Sequence, residues 1–270
     1  MVEYQQKNHY SIGDLIDIVR LLRSEGGCPW DREQTHSSIR NDFLEETCEV
    51  IEAIDLEDPE LLREELGDVL LQVVFHCRIE EETSSFCFDD VCDEVCKKLI
   101  IRHPHVFGNV SADTTDQVLK NWDAIKMKTK GQETYTDTLT SVAKSLPALM
   151  RAQKVGKRAM RAGMDFRCAD DAIACIEAEK AELIKAVAAG DAQNIEEELG
   201  DLLFSCVNAA RHLGVDAEFA LKASTEKFIK RFSVTEKLTA ADKLDMKELP
   251  IEKLDVYWAK AKHIIDSEEK

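Results

Sequence analysis

Glu64-Glu65-Leu66-Gly67-Asp68-Val69-Leu70 decides the fold because it occurs twice, returning 133 residues later as Glu197-Glu198-Leu199-Gly200-Asp201-Leu202-Leu203. The match extends both ways. Upstream, Glu46-x-x-Glu49 returns as Glu179-x-x-Glu182 at the same offset, and 16 positions separate Glu49 from Glu65 and Glu182 from Glu198. Downstream, Lys98-x-x-x-Arg102 is answered by Lys227-x-x-x-Arg231, and Trp122 by Trp258. Self-similarity over such a span marks a duplicated structural unit. The expected division is residues 1–128, a linker over 129–145 that is polar and rich in Thr and Ser, and residues 146–270.

Within each half the apolar residues keep a helical period. Ile12, Leu15, Ile16, Val19 and Leu22 share one face of a first helix, and Phe43, Leu44, Val50, Ile51 and Ile54 mark a second. Asp58-Pro59 reads as an N-cap followed by proline in the first turn, opening a third helix through Leu66, Leu70, Val73 and Val74. Asp89 is the expected cap of a fourth helix with Val91, Val95 and Leu99 inward, and Val118 to Lys126 form a fifth. The second half predicts helices near 147–162, 169–189, 191–213, 216–238 and 250–267, with Gly214 as a stop after Leu213. No run alternates with period two for long enough to make a strand. The expected fold is all-α, two tandem helical-bundle domains.

The composition agrees. The 270 residues carry only 5 prolines and 11 glycines, little punctuation for a strand-rich sandwich. Lys and Arg number 35 against 53 Asp and Glu, a net charge of −18. Such a chain lacks the basic face that a nucleic-acid polymer or an anionic membrane surface requires. No segment is apolar enough to span a bilayer and no export signal is present, so the nine cysteines read as reduced thiols of a cytoplasmic protein. Cys92 and Cys96, four residues apart, read as core-facing residues rather than a metal pair.

The acidity is local. Residues 42–68 hold 12 acids and 1 base, and residues 177–201 hold 8 acids and 2 bases. Residues three apart on a helix face the same side, so Glu46 projects with Glu49 and Glu65 with Asp68. The short connection at Asp58-Pro59 makes the two helices antiparallel neighbours and lets the four carboxylates converge. Glu179, Glu182, Glu198 and Asp201 repeat the set. Unpaired carboxylates so gathered repel and raise one another's pKa, and a divalent cation removes the conflict. All-oxygen donors suit Mg²⁺, with Mn²⁺ as a substitute. Gly67 and Gly200, costly in mid-helix, suggest a close helix crossing or ligand approach. Lys227 and Arg231, one turn apart, can reach a phosphate chain together, and Trp258 can stack on a base.

With these residues in view, the chain resembles the full-length MazG-type nucleoside triphosphate pyrophosphohydrolases from about Leu15 to Ala261. Its markers are Gly27-Cys28-Pro29-Trp30-Asp31, Leu44-Glu45-Glu46-Thr47-x-Glu49, Glu65-Leu66-Gly67-Asp68, Arg102-His103-Pro104-His105-Val106-Phe107, Ser145-Leu146-Pro147-Ala148-Leu149 and Arg211-His212-Leu213-Gly214. The resemblance implies an all-α homodimer that cleaves nucleoside triphosphates, ATP among them, to monophosphate and pyrophosphate with Mg²⁺. It implies metal-holding catalytic carboxylates at Glu179, Glu182, Glu198 and Asp201, with Lys227, Arg231 and Trp258 on the substrate, and the main activity in the C-terminal half. The first half retains a second set: Glu46, Glu49, Glu65 and Asp68 for metal, and Lys98, Arg102 and Trp122 for substrate. Thr225 and Asn194 depart from the family's frequent Asn and Lys. Nucleotide-pool housecleaning is the expected use. The alternatives are a more selective dUTP or modified-nucleotide hydrolase, a non-catalytic helical interaction protein, and a di-iron bundle. The last needs Glu-x-x-His on two helices, and only Glu33-x-x-His36 supplies it.

Overall fold

The computed structural model describes residues 4–112, 114–129 and 131–268, and among them every regular element is helical. Chain contacts separate two units, Met1–Lys126 and Met127–Lys270.

In the first unit, α1 (Ile12–Leu22) opens on a reciprocal cap: Ser11 Oγ accepts from the Asp14 amide at 3.4 Å, and Asp14 accepts from the Ser11 amide at 2.8 Å. A short α2 (Pro29–Glu33) leads to α3 (Arg40–Asp55). Asp58 then starts α4 (Pro59–Glu82), its carboxylate accepting from the amides of Glu60 and Leu61 at 3.0 and 3.1 Å with Pro59 in the first turn. The core forms where α1, the start of α3 and α4 meet: Val19, Ile39, Val74 and Phe75 are buried, with Leu15, Ile16, Leu71, Ile79 and Phe88 against them.

Next come α5 (Phe88–Arg102), α6 (Pro104–Phe107) and α7 (Thr115–Thr129). The cap of α5 corrects the expectation at Asp89. The N-cap is Cys87, and Asp90 supplies the capping carboxylate by accepting from the Cys87 amide at 2.8 Å. Of the positions expected inward, Val91 is half-buried, whereas Val95 and Leu99 are 40% and 44% exposed.

The second unit takes in residues 129–145, the stretch expected as a linker. There α8 (Tyr135–Thr140) is closed by a Thr134–Asp137 capping box, Val142 is buried, and Arg158 reaches back to Thr138 and Ser141. The helices α9 (Ala148–Arg161), α10 (Ala169–Ala189), α11 (Ala192–His212), α12 (Ala217–Ala241) and α13 (Ile251–Glu268) follow. The α10–α11 hairpin positions the site. Its turn needs Gly190, at φ +71°, a left-handed conformation that side chains disfavour. Asp191 then caps α11 by accepting from the amides of Gln193 and Asn194 at 3.1 and 3.2 Å. Helix α9 packs against α11 at Gly156, where an added Cβ would lie 2.9 Å from Asn208 Oδ1.

Candidate functional site

Each helical hairpin brings together three of the four carboxylates expected to converge. In the second unit, Glu179 and Glu182 stand one turn apart on α10 and α11 brings Glu198 to them, so that one carboxylate oxygen of each lies within 4.8 Å of the others. In the first unit Glu46 and Glu49 of α3 meet Glu65 of α4 within the same limit. Asp201 and Asp68, each one turn past the glutamate on its helix, lie outside these trios but within electrostatic reach. Partial burial pushes the Glu198 carboxyl above its usual range first, then the charges of Glu182, Asp201 and Glu179. Glu46 is raised by burial, then by Asp68, Glu49 and Glu65, and Glu65 by burial, then by Glu49. Among the described residues, none of these eight carboxylates forms an ion pair. Close, unopposed oxygen donors held at raised proton affinity fit a hard divalent cation.

The other expected site residues have contacts of their own. Arg231 of α12 faces Asp266 of α13 at 3.5 Å, and its Nε is buried without a partner. Trp258 packs on Phe228 with ring centroids 5.0 Å apart, and Lys227 is exposed on the same helix as Phe228. In the first unit the Arg102 guanidinium lies 5.4 Å from the centre of the Trp122 ring, and Lys98 is exposed. Among the described residues, no hydrogen bond or ion pair joins Lys227, Arg231, Lys98 or Arg102 to a carboxylate trio. His103 caps the end of α5, its Nδ1 2.6 Å from the Leu99 carbonyl, which accounts for the Arg102-His103-Pro104-His105 segment as a structural turn. Gly67 and Gly200 are not required by a helix crossing, since an added Cβ at either would meet nothing within 4 Å.

Two arrangements were not foreseen. Cys175, one turn before Glu179, places Sγ 3.5 Å from Glu179 Oε1 and 3.4 Å from Ser205 Oγ. The cue was a cysteine four residues before Glu179 and a serine four after Asp201. In the first unit His36 bridges Glu80 and His76, with its Nε2 2.7 Å from Glu80 Oε1 and its Nδ1 2.7 Å from His76 Nδ1. His36 Nε2–H donates to the carboxylate, and one proton is shared along the Nδ1–Nδ1 contact with His76. Burial, then His36, holds His76 below the usual imidazole range. His36 is thereby spoken for by α4, and the Glu33-x-x-His36 spacing builds no di-iron site.

Tandem helical hairpins that each gather three glutamates able to hold a cation define a class of all-α proteins with paired acidic clusters. Comparison with known proteins agrees. The family model for the MazG nucleotide pyrophosphohydrolase domain matches residues 34–107 and 169–233. The chain belongs to this family. It is 45% identical over 249 residues to the nucleoside triphosphate pyrophosphohydrolase/pyrophosphatase MazG of Thermotoga maritima, covering 92% of this chain and 94% of that one. It is 42% identical over 254 residues to the nucleoside triphosphate pyrophosphohydrolase of Escherichia coli strain K12, covering 93% and 97%. A Bacillus subtilis protein, YabN, matches at 39% over 255 residues, which span 94% of this chain but 52% of that one.

Proposed function

We propose that the chain hydrolyses nucleoside triphosphates to nucleoside monophosphate and pyrophosphate, with Mg²⁺ as the cofactor and Mn²⁺ as a substitute. The observation that carries this reading is the repeated trio of glutamate oxygens within 4.8 Å, unopposed by any described cation. Glu179, Glu182, Glu198 and Asp201 would hold the metal of the principal site, and Glu46, Glu49, Glu65 and Asp68 that of the second. A cation bound there supplies positive charge against the triphosphate and acidifies water.

The chain's own groups do the rest. One glutamate of the cluster, its proton affinity already raised, accepts the proton of the attacking water. Lys227 and Arg231 offset the charge of the departing pyrophosphate, which requires Arg231 to exchange its 3.5 Å contact with Asp266 for the phosphate. Trp258, with Phe228, offers an aromatic surface to the base. Lys98, Arg102 and Trp122 take the same roles in the first unit.

The active form is a homodimer. Ile184, Val187, Leu199, Leu203 and Phe228 are between 47% and 60% exposed on α10, α11 and α12, apolar side chains that a second copy could cover. No described helix is long and apolar enough to cross a membrane, and the setting proposed is the cytoplasm, where the enzyme clears unwanted nucleotides from the pool. Product analysis over a panel of ribo- and deoxyribonucleoside triphosphates with Mg²⁺ tests the reading. Monophosphate and pyrophosphate in equal amounts are expected. Diphosphate and orthophosphate as products would contradict it, and turnover of dUTP alone would narrow it to the selective hydrolase.

A further inference from the structure

We propose that Cys175 and Ser205 are positioning residues that hold the Glu179 carboxylate for metal binding in the second unit, an inference that rests on the metal-site reading above. A thiol has one proton to give. With Sγ 3.5 Å from Glu179 Oε1 and 3.4 Å from Ser205 Oγ, that proton goes to the carboxylate, and the serine hydroxyl donates to sulfur. The chain of bonds therefore runs Ser205 O–H to Cys175 Sγ, and Cys175 S–H to Glu179. It crosses from α11 to α10, the two helices that supply the acids.

Ser205 is 5% exposed and anchored in the packed interior, so the direction of the relay is fixed from the inside outward. A glutamate side chain has three rotatable bonds, and its neighbours in the trio are negative. Without a donor behind it, repulsion turns the carboxylate away from the position a cation needs. The thiol supplies that donor.

The repeat provides an internal comparison. At the 133-residue offset, Asp42 stands where Cys175 does and Gln72 where Ser205 does. An aspartate replaces the thiol behind Glu46, and Gln72 Oε1 is buried without a partner. The two trios thus share their glutamates and differ in what stands behind them, so the relay belongs to the second unit alone.

Partners of metal ligands are worth about 10- to 100-fold in metal affinity, and a weak thiol donor falls at the low end. The test is Mn²⁺ titration by calorimetry on the full chain carrying Glu65→Gln, which silences the first trio. Cys175→Ala is expected to weaken binding about 10-fold with the melting temperature of the metal-free protein little changed. Cys175→Ser, which keeps a donor and an acceptor, restores most of the affinity, and Ser205→Ala gives an intermediate loss. Unchanged affinity in Cys175→Ala, with Glu179→Gln abolishing binding, overturns the positioning role. So does Cys175→Ser binding as weakly as Cys175→Ala. Unchanged affinity in Glu179→Gln overturns the metal-site reading itself.

Discussion

The connection between α9 and α10 is pinned to α11 by Asp165, and replacing it with asparagine tests how the hairpin that carries Glu179, Glu182 and Glu198 is held. Arg211 donates to both oxygens of Asp165, one contact at 3.0 Å, and His212 Nε2 lies 3.0 Å from the same carboxylate. The pair is largely sheltered, with side-chain exposure of 10% for Arg211 and 19% for Asp165. Hydrogen bonds from Arg211 lower the Asp165 pKa from 3.8 to about 2, against the opposing effect of burial. A depressed carboxyl stabilises the fold above its unfolded pKa, and that contribution is lost as pH falls toward the folded value.

The shift corresponds to about 2 kcal/mol at neutral pH, after allowance for solvent on the open edge of the pair. Only about half of it survives at pH 3. Asp165→Asn should therefore lose about 2 kcal/mol at pH 7 and about 1 kcal/mol at pH 3. Urea unfolding of the second unit can be followed through Trp258 fluorescence in a Trp30→Phe, Trp122→Phe background. An equal loss at both pH values would refute the reasoning, as would a loss below about 0.5 kcal/mol at pH 7.

Three further outcomes are expected. Asp191→Ala removes the cap of α11 and should cost about 1 kcal/mol by the same unfolding assay. Gly156→Ala drives a methyl group to 2.9 Å from Asn208 Oδ1, in a packed helix contact, and should cost about 1–3 kcal/mol. Glu198→Gln removes a carboxylate whose pKa is raised by burial first and then by the charges of Glu182, Asp201 and Glu179. It should raise the melting temperature of the metal-free protein at pH 8, and the gain should vanish at pH 4, where the wild-type carboxyl is itself largely protonated. A gain that persists unchanged at pH 4 would show that charge repulsion is not the cause.

Much of this was legible in the sequence, for identifiable reasons. The long helices announce themselves through periodicity and strong caps such as Asp58-Pro59, and the repeat makes each half a check on the other. The glutamate trios follow from three-residue spacing on antiparallel helices joined by short turns. The short helices α2, α6 and α8 escaped because four to six residues carry no period. The start of α5 was misplaced because its N-cap is a cysteine, an unusual capping residue, with Asp90 accepting from the Cys87 amide. The Ser205–Cys175–Glu179 relay and the Glu80–His36–His76 bridge each join separate elements, and no fixed spacing announces such partners. Lys227, Arg231 and Trp258 were read from spacing and resemblance. In the structure Arg231 lies 3.5 Å from Asp266 and Trp258 packs on Phe228.

The central claim is that the second-unit acidic cluster carries the reaction. Pyrophosphate release from a nucleoside triphosphate with Mg²⁺, compared between wild type, Glu198→Ala and Asp201→Ala, tests it most directly. The account predicts that both variants lose nearly all turnover while keeping wild-type helicity and cooperative unfolding. Near-normal pyrophosphate release from both folded variants would contradict it.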